Sequence, residues 1–276
     1  MDNILVQALI MGVVQGLTEF LPISSSGHLI LVPYLFGWTD GLLNSLAFSV
    51  MLHMGTLVAL LAYFRRDWLS LIPAGLATIR DRSFRGDPDR KLAWLIALTT
   101  VPAVIAGPLL SDTLERWFRE AGIVAITLVA AGAVLWLADR WGAQDRTLGR
   151  LTFPQALVIG LAQALALVPG ISRSGISISA GLFIGLTRES AARFSFLMAT
   201  PVIAGAGAFE TLKLVRGDVG PDLSLGPLVV GMVAALVSGL AAIHFLLRYL
   251  RSNSLTVFVV YRLVLAAIVV VVFLGR

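Results

Sequence analysis

Two polar clusters interrupt an otherwise apolar chain. The first, Q-G-L-T-E-F-L-P-I-S-S-S-G-H from Gln15 to His28, holds one carboxylate at Glu19, three consecutive hydroxyls at Ser24, Ser25 and Ser26, and an imidazole at His28. The second, P-G-I-S-R-S-G-I-S from Pro169 to Ser177, holds Arg173 between Ser172 and Ser174, with Ser177 beyond. A carboxylate inside an apolar helix costs roughly 2.5–3.5 kcal/mol to insert, so Glu19 needs compensation. Pro22 stops the helix that carries it. The serines after Pro22 supply cap hydroxyls and free N–H groups at a new helix start, where an anion is welcome, and Gly27 lets a ligand approach the backbone. If that helix begins near Ser24, His28 and Ser25 share a face. The guanidinium of Arg173 also needs an anionic partner, and its planar fork suits two phosphate oxygens. One cluster offers an acid, a base and hydroxyls; the other offers a fixed positive charge. Together they describe a phosphate site with a candidate nucleophile, suited to chemistry in which catalysis is mostly positioning and charge stabilisation.

Plainer readings of the same residues stand beside this one. Glu19 and Arg173 could be only a buried ion pair, and the Gly/Ser breaks could serve only close helix packing. His53 and His244 lie in apolar stretches and read as packing or interhelical hydrogen-bond residues. Glu210 either faces a cavity or reaches the interface, and Trp117, Trp136 and Trp141 read as interface anchors.

The elements that carry the clusters are membrane segments. Of 276 residues, 58% are hydrophobic and 13% charged, with a mean hydropathy of +0.89, against about 45–50% and about 25% in soluble domains. The absence of cysteine excludes disulfides, thiolate zinc sites and thiol nucleophiles. A net charge of +5 could suggest nucleic acid, but the basic residues gather in short loops between apolar stretches, which reads as topology. No nucleic acid partner is expected. The stretch from Ile4 has no Lys or Arg before Arg65 and lacks the basic start of a signal peptide, so it is expected to stay in the mature protein.

Six stretches are long enough to cross roughly 30 Å of hydrocarbon, at about 17–25 residues each: Ser45–Phe64, Leu92–Leu110, Gly122–Ala138, Ala192–Leu214, Leu225–Leu247 and Leu255–Leu274. Two more, Ile4–Gly37 and Pro154–Leu186, are broken in the middle by the polar clusters and read as re-entrant pairs of half-length helices. The Arg65–Lys91 loop reads as a solvated, lipid-facing segment. It groups with Arg140, Arg146, Arg150, Arg188, Arg193, Arg248 and Arg251, which makes that side cytoplasmic; Arg116, Arg119, Lys213, Arg216 and Arg276 fall opposite.

Shifting the chain by 148 positions lays Gln7–Gly27 on Gln155–Gly175 with ten of 21 residues identical, including Gln15 on Gln163 and Ile23-Ser24-x-Ser26-Gly27 on Ile171-Ser172-x-Ser174-Gly175. Each unit is a broken pair followed by three spans, so the second starts from the opposite side. The fold expected is a single all-α membrane domain over 1–276, six transmembrane helices plus two re-entrant pairs, as an inverted repeat of 1–140 and 150–276. Discontinuous helices meeting from both sides are where many transporters bind anions, which also leaves open a transporter or flippase of a phosphorylated lipid.

At these motifs the sequence resembles the undecaprenyl-diphosphate phosphatase family, the bacitracin-resistance proteins. That family is marked by Glu-or-Gln-x-x-x-Glu and P-x-S-S-x-G-H, falling here on Gln15, Glu19, Pro22, Ser24, Ser25, Gly27 and His28. P-G-x-S-R-S-G falls on Pro169 to Gly175, and the F-S-F-L-M-A-T-P run at Phe194–Pro201 also fits. The resemblance covers essentially the whole chain. It implies hydrolysis of undecaprenyl diphosphate at the outer face of the bacterial plasma membrane, recycling the lipid carrier of cell-wall synthesis and giving bacitracin resistance. It further implies dependence on a divalent cation, Mg²⁺ or Ca²⁺. Carried over, Ser25 is the nucleophile, Glu19 and His28 are base or metal partners, and Arg173 clamps the diphosphate. Gln15, Ser24, Ser26, Gly27, Ser172, Ser174 and Ser177 line the substrate site. Gln15 brings no charge where some members have Glu, so a site with two carboxylates is not expected. The partners implied are the polyprenyl diphosphate and membrane lipid, with a homodimer left open.

Overall fold

A computed structural model of the chain describes residues 4–85, 87–118, 120–215 and 225–275. Every named element among them is helical. The first broken pair is α1 (Ile4–Phe20) and α2 (Ser25–Phe36); α3 (Leu46–Tyr63) and α4 (Arg65–Asp81) follow, then α5 (Pro88–Phe118) and α6 (Ala121–Trp141). After a short 3₁₀ turn come the second broken pair, α7 (Phe153–Leu165) and α8 (Arg173–Phe183), and α9 (Arg188–Val215), α10 (Leu225–Tyr249) and α11 (Thr256–Leu274). Five helices are long and apolar enough to cross a membrane by themselves, and α3 with α4 makes a sixth candidate bent by 81°.

Two sequence expectations change. The Arg65–Lys91 segment is not a loop: α4 fills most of it, turned across the end of α3. Leu69, Ile72, Leu76 and Ile79 are exposed along it while Leu71, Ala74 and Thr78 are buried, the two-faced pattern of a helix lying along an interface. And α1, at 17 residues, is longer than a half-span, about 26 Å at 1.5 Å per residue. The side chains of Arg116, Trp117, Glu210 and Lys213, and residues Arg119, Arg216 and Arg276, lie outside those described.

The helix ends follow local chemistry. Ser45 caps α3 by accepting from the Phe48 N–H at 3.1 Å, and the Thr152 N–H donates to Gln155 Oε1 at 3.0 Å at the start of α7, half of a capping box. Gly37 ends α2 in the left-handed region, its N–H returning to Pro33 O.

Matching small residues set the packing of the two broken pairs. α1 lies on α10 and α7 lies on α5. A Cβ on Gly12 would come within 2.3 Å of Gly231 O, and one on Gly160 within 2.8 Å of the Thr99 Cα. Glycine at both positions lets backbones approach as membrane helices require, since lipid supplies no hydrophobic drive between them. The largest buried cluster runs through the middle of the bundle, from Phe20 and Phe64 to Phe194, Phe196, Leu246 and Phe258. At the end carrying the Arg-rich loops, buried Asp139 accepts from Arg188 Nε at 2.5 Å and from the Leu255 N–H at 3.0 Å, and Arg193 pairs with Asp67.

Candidate active site where two helix breaks meet

The two breaks have the same backbone. Ser24 and Ser172 are the helix N-caps, with φ of 76° and 74°, and each Oγ accepts from the N–H of the glycine three residues on, Gly27 at 3.3 Å and Gly175 at 3.1 Å. A non-glycine residue held at positive φ costs of order 1–3 kcal/mol, tolerated here because the cap bonds repay it and the surrounding helices fix the turn. The tips touch: Ser174 Oγ donates to Leu21 O at 3.1 Å. Thr127 Oγ1 of α6 donates to Pro169 O at 2.7 Å.

Glu19 is the centre of the site. Buried at the C-terminal end of α1, it receives Ser25 Oγ at 2.5 Å and Gln15 Nε2 at 3.1 Å on Oε2, while Arg173 Nη1 stands 3.3 Å from Oε1. The structure thus brings together Gln15, Glu19 and Ser25 from one break and Arg173 from the other. The Arg173–Glu19 contact is not a fork-on-carboxylate pair. Nη1 is buried without a hydrogen-bond partner, and the side chain remains 24% exposed. Arginine–carboxylate pairs are frequently bidentate; this one is not, and it leaves guanidinium donors unused.

Other expected site residues are placed differently. Because α2 starts at Ser25, this hydroxyl turns back to Glu19 rather than along the helix to His28. Both imidazole nitrogens are engaged elsewhere, Nδ1 with Ser24 O and Nε2 with Tyr261 OH, each at 2.7 Å. Ser177 faces α9, 2.7 Å from Ser195 Oγ. Ser24, Ser172 and Ser174 shape the turns, Ser26 lines the adjoining cavity, and Gly27 packs against Val124 and Gly170.

His53, read as a packing or interhelical hydrogen-bond residue, makes an interhelical contact, and its partner is the central carboxylate. From α3 its Nε2 stands 3.7 Å from Glu19 Oε2, and Nδ1 lies 2.8 Å from Ser49 O; since that carbonyl only accepts, Nδ1 carries the proton and Nε2 faces the carboxylate. His244 keeps its reading, bonded across helices to Tyr63 OH at 3.4 Å. His53 and the adjacent Tyr261 and Arg262 sit in apolar spans outside the two clusters, so spacing along the chain does not tie them to the site; the only signal is the cost of a polar group at membrane depth.

A cavity of about 740 Å³ opens beside the site, reached by Ser26, His53 and Pro169 and otherwise mostly apolar, with Phe48, Leu52 and Leu167 in its wall. Among the described residues no three His, Asp or Glu side chains form a metal cage. The hard oxygen donors present are the Glu19 carboxylate, the Ser25 hydroxyl and Gln15 Oε1, a buried acceptor without a partner. That set fits Mg²⁺, which keeps several waters and is bound by one or two carboxylates together with substrate phosphates.

The sequence profile of the family described as bacitracin resistance protein BacA matches residues 8–268. Proteins named undecaprenyl-diphosphatase are similar along nearly their whole length. The one from Thermomicrobium roseum is 46% identical over 274 residues, covering 96% of this chain and 97% of its own. That from Desulforudis audaxviator is 45% identical, covering 98% of each. The Alcanivorax borkumensis protein is 46% identical, covering 94% of this chain and 95% of its own.

Proposed function

The chain belongs to the bacitracin resistance protein BacA family, and from that premise we propose that it is an integral membrane phosphatase hydrolysing undecaprenyl diphosphate to undecaprenyl phosphate and inorganic phosphate. One observation carries the chemistry: a half-buried serine hydroxyl donates to a buried carboxylate at 2.5 Å, opposite a guanidinium with an unused N–H. Ser25 Oγ attacks the terminal phosphorus as Glu19 Oε2 takes its proton. An Oγ–P bond forms, the bridging P–O bond breaks, and undecaprenyl phosphate leaves with that bridging oxygen. Glu19 passes that proton to the departing undecaprenyl phosphate; water then attacks the phosphoserine as Glu19 takes a proton from it, a new P–O bond forms as the Oγ–P bond breaks, and Glu19 returns the proton to Ser25 Oγ as inorganic phosphate leaves. Arg173 turns its free N–H groups to the phosphoryl oxygens, where charge is greatest in transfer. Glu19 and the Gln15 carbonyl would hold the divalent cation, which supplies charge neutralisation on the diphosphate. The apolar cavity receives the start of the polyprenyl chain.

In the same reading the halves form an inverted repeat in the plasma membrane, with the Arg-rich loops and α4 cytoplasmic and the site toward the outer face. The matched packing of α1 on α10 and of α7 on α5, and the paired Ser24 and Ser172 turns, support the repeat.

Protein purified in detergent, given a soluble short-chain prenyl diphosphate and Mg²⁺ without any gradient, is expected to release inorganic phosphate. Binding of the diphosphate without phosphate release would overturn the phosphatase reading and favour transport of the phosphorylated lipid.

A further inference from the structure

Arg262 lies in the second turn of α11 with no exposed surface at all, among the most expensive side chains to bury within a membrane. Among the described residues no carboxylate pairs with it. Its bonds go instead to backbone carbonyls of both breaks: Nε donates to Pro22 O at 2.6 Å, and Nη1 and Nη2 both donate to Ile171 O at 3.2 Å. Pro22 lies between Glu19 and Ser25, and Ile171 lies two residues before Arg173. One guanidinium therefore holds, at the same time, the turn that sets the nucleophile against its base and the turn that sets the phosphate clamp.

The surroundings are shaped around it. A Cβ on Gly175 would come within 2.5 Å of Arg262 Nη2, and one on Gly132 within 3.5 Å of its Cδ. The preceding residue, Tyr261, bonds His28 at 2.7 Å, so the same turn of α11 also fixes the start of α2. An apolar side chain would fill this space without the desolvation cost of a buried charge. What only arginine provides is a planar fork with donors directed to two places at once, and a positive charge behind both tips that no carboxylate cancels.

We propose that Arg262 is a positioning residue for phosphoryl transfer: it clasps the two breaks to each other and so sets the register of Ser25 and Glu19 against Arg173. This rests on the phosphatase reading above for its kinetic consequence, but not for its geometry. Arg262→Lys keeps the charge and loses the fork. With the prenyl diphosphate and saturating Mg²⁺, its kcat is expected to fall about 10²-fold, the cost of misplacing reacting groups by about 1 Å, while KM stays within about threefold. The chain has no cysteine, so spin labels can be placed only at Phe36 and Phe183, exposed at the far ends of α2 and α8. The distance between them is expected to be narrowly distributed in the parent and broad in Arg262→Lys. Wild-type kcat with a narrow distribution would overturn the clasp, and so would a raised KM with unchanged kcat, which would make Arg262 a substrate contact. If Arg262→Lys does not fold, Gly175→Ala keeps the arginine but crowds Nη2; the same loss of kcat is expected, and wild-type kcat would again overturn the proposal. A parent protein that releases no phosphate would end the phosphatase reading alone, because the label distances still decide whether Arg262 joins the tips.

Discussion

The two helix breaks are built alike and equipped differently. Ser24 and Ser172 take the same backbone conformation and cap the same way, yet at the 148-residue offset Glu19 stands where the other half has Leu167, and Ser25 where it has Arg173. The glutamine common to both is used in two ways. Gln15 Nε2 steadies the Glu19 carboxylate at 3.1 Å, whereas Gln163 Nε2 holds Thr99 O of α5 at 3.1 Å. Ser24, Ser26 and Gly27, which set the turn, have counterparts in Ser172, Ser174 and Gly175; the charged residues and the proposed nucleophile are the ones that differ. A symmetric frame thus presents an asymmetric pair of faces, as the proposed binding of one diphosphate between them requires. Two identical tips would offer either two acids that repel a diphosphate or two guanidiniums with no base.

The sharpest way to break this comparison is to remove what only one tip has. Ser25→Ala is expected to lower phosphate release by about 10³-fold or more, as loss of a nucleophile does, while the protein stays folded with the loss of about 1.5–3 kcal/mol that removing a hydrogen bond to the buried Glu19 carboxylate costs. Ser24→Ala, its neighbour, removes a cap and is expected to cost about 1 kcal/mol of stability with a far smaller loss of rate. Equal rates for Ser25→Ala and the parent would remove the phosphoserine and make water the nucleophile.

Next in size is the other tip. Arg173→Lys retains the charge beside Glu19 but cannot present a fork, and a fall of about 10²-fold in kcat is expected, the scale of losing one transition-state donor. If the residue serves only as a counter-ion for Glu19, lysine will substitute with little loss, and the plainer ion-pair reading will stand.

This asymmetry was legible in the sequence because it sits inside a repeat: the shared Gln, Ser and Gly residues mark the frame, and Glu19, Ser25 and Arg173 stand out as departures from it. The broken pairs and the apolar spans were legible for a related reason, since Pro and Ser clusters cannot continue an apolar helix. What joins the tips from outside was not. Arg262 meets Pro22 across 240 residues and His28 meets Tyr261 across 233; a charge at membrane depth says that Arg262 faces inward, but nothing in the local pattern of α11 says which backbone it meets. His53 was set aside because its neighbours in sequence are apolar; its polar neighbour, Glu19, comes from another helix. The opposite applies to α4, whose two-faced pattern was present in Leu69, Ile72, Leu76 and Ile79 but was masked by the dense charge around it.

A smaller effect tests the missing second carboxylate. Gln15→Glu places a charge where an acceptor is buried without a partner. If Glu19 and residue 15 share the cation, added charge tightens the site, and the Mg²⁺ concentration for half-maximal phosphate release is expected to fall about tenfold. An unchanged Mg²⁺ titration would remove residue 15 from the cation site and leave Glu19 as its sole charged ligand.

The smallest effects belong to the far ends of the two short helices, where the frame should respond without the chemistry. Gly37 closes α2 and Gly185, 148 residues later, follows α8; both lie in the left-handed region, at φ of 66° and 94°. The space around them differs. Nothing lies within 4 Å of a Cβ on Gly37, whereas one on Gly185 would come within 3.3 Å of Asp145 Oδ1 and 3.4 Å of the Arg146 side chain, in a turn where Gly185 O accepts from the N–H groups of both residues. Gly37→Ala is therefore expected to cost only the conformational penalty, about 1 kcal/mol, and Gly185→Ala more, because the crowded turn cannot relax without releasing those bonds. Neither should alter kcat in the folded protein. Equal losses in thermal unfolding would mean that the linker between the halves adds nothing to how the second helix is held, and that the two tips differ in their chemistry alone.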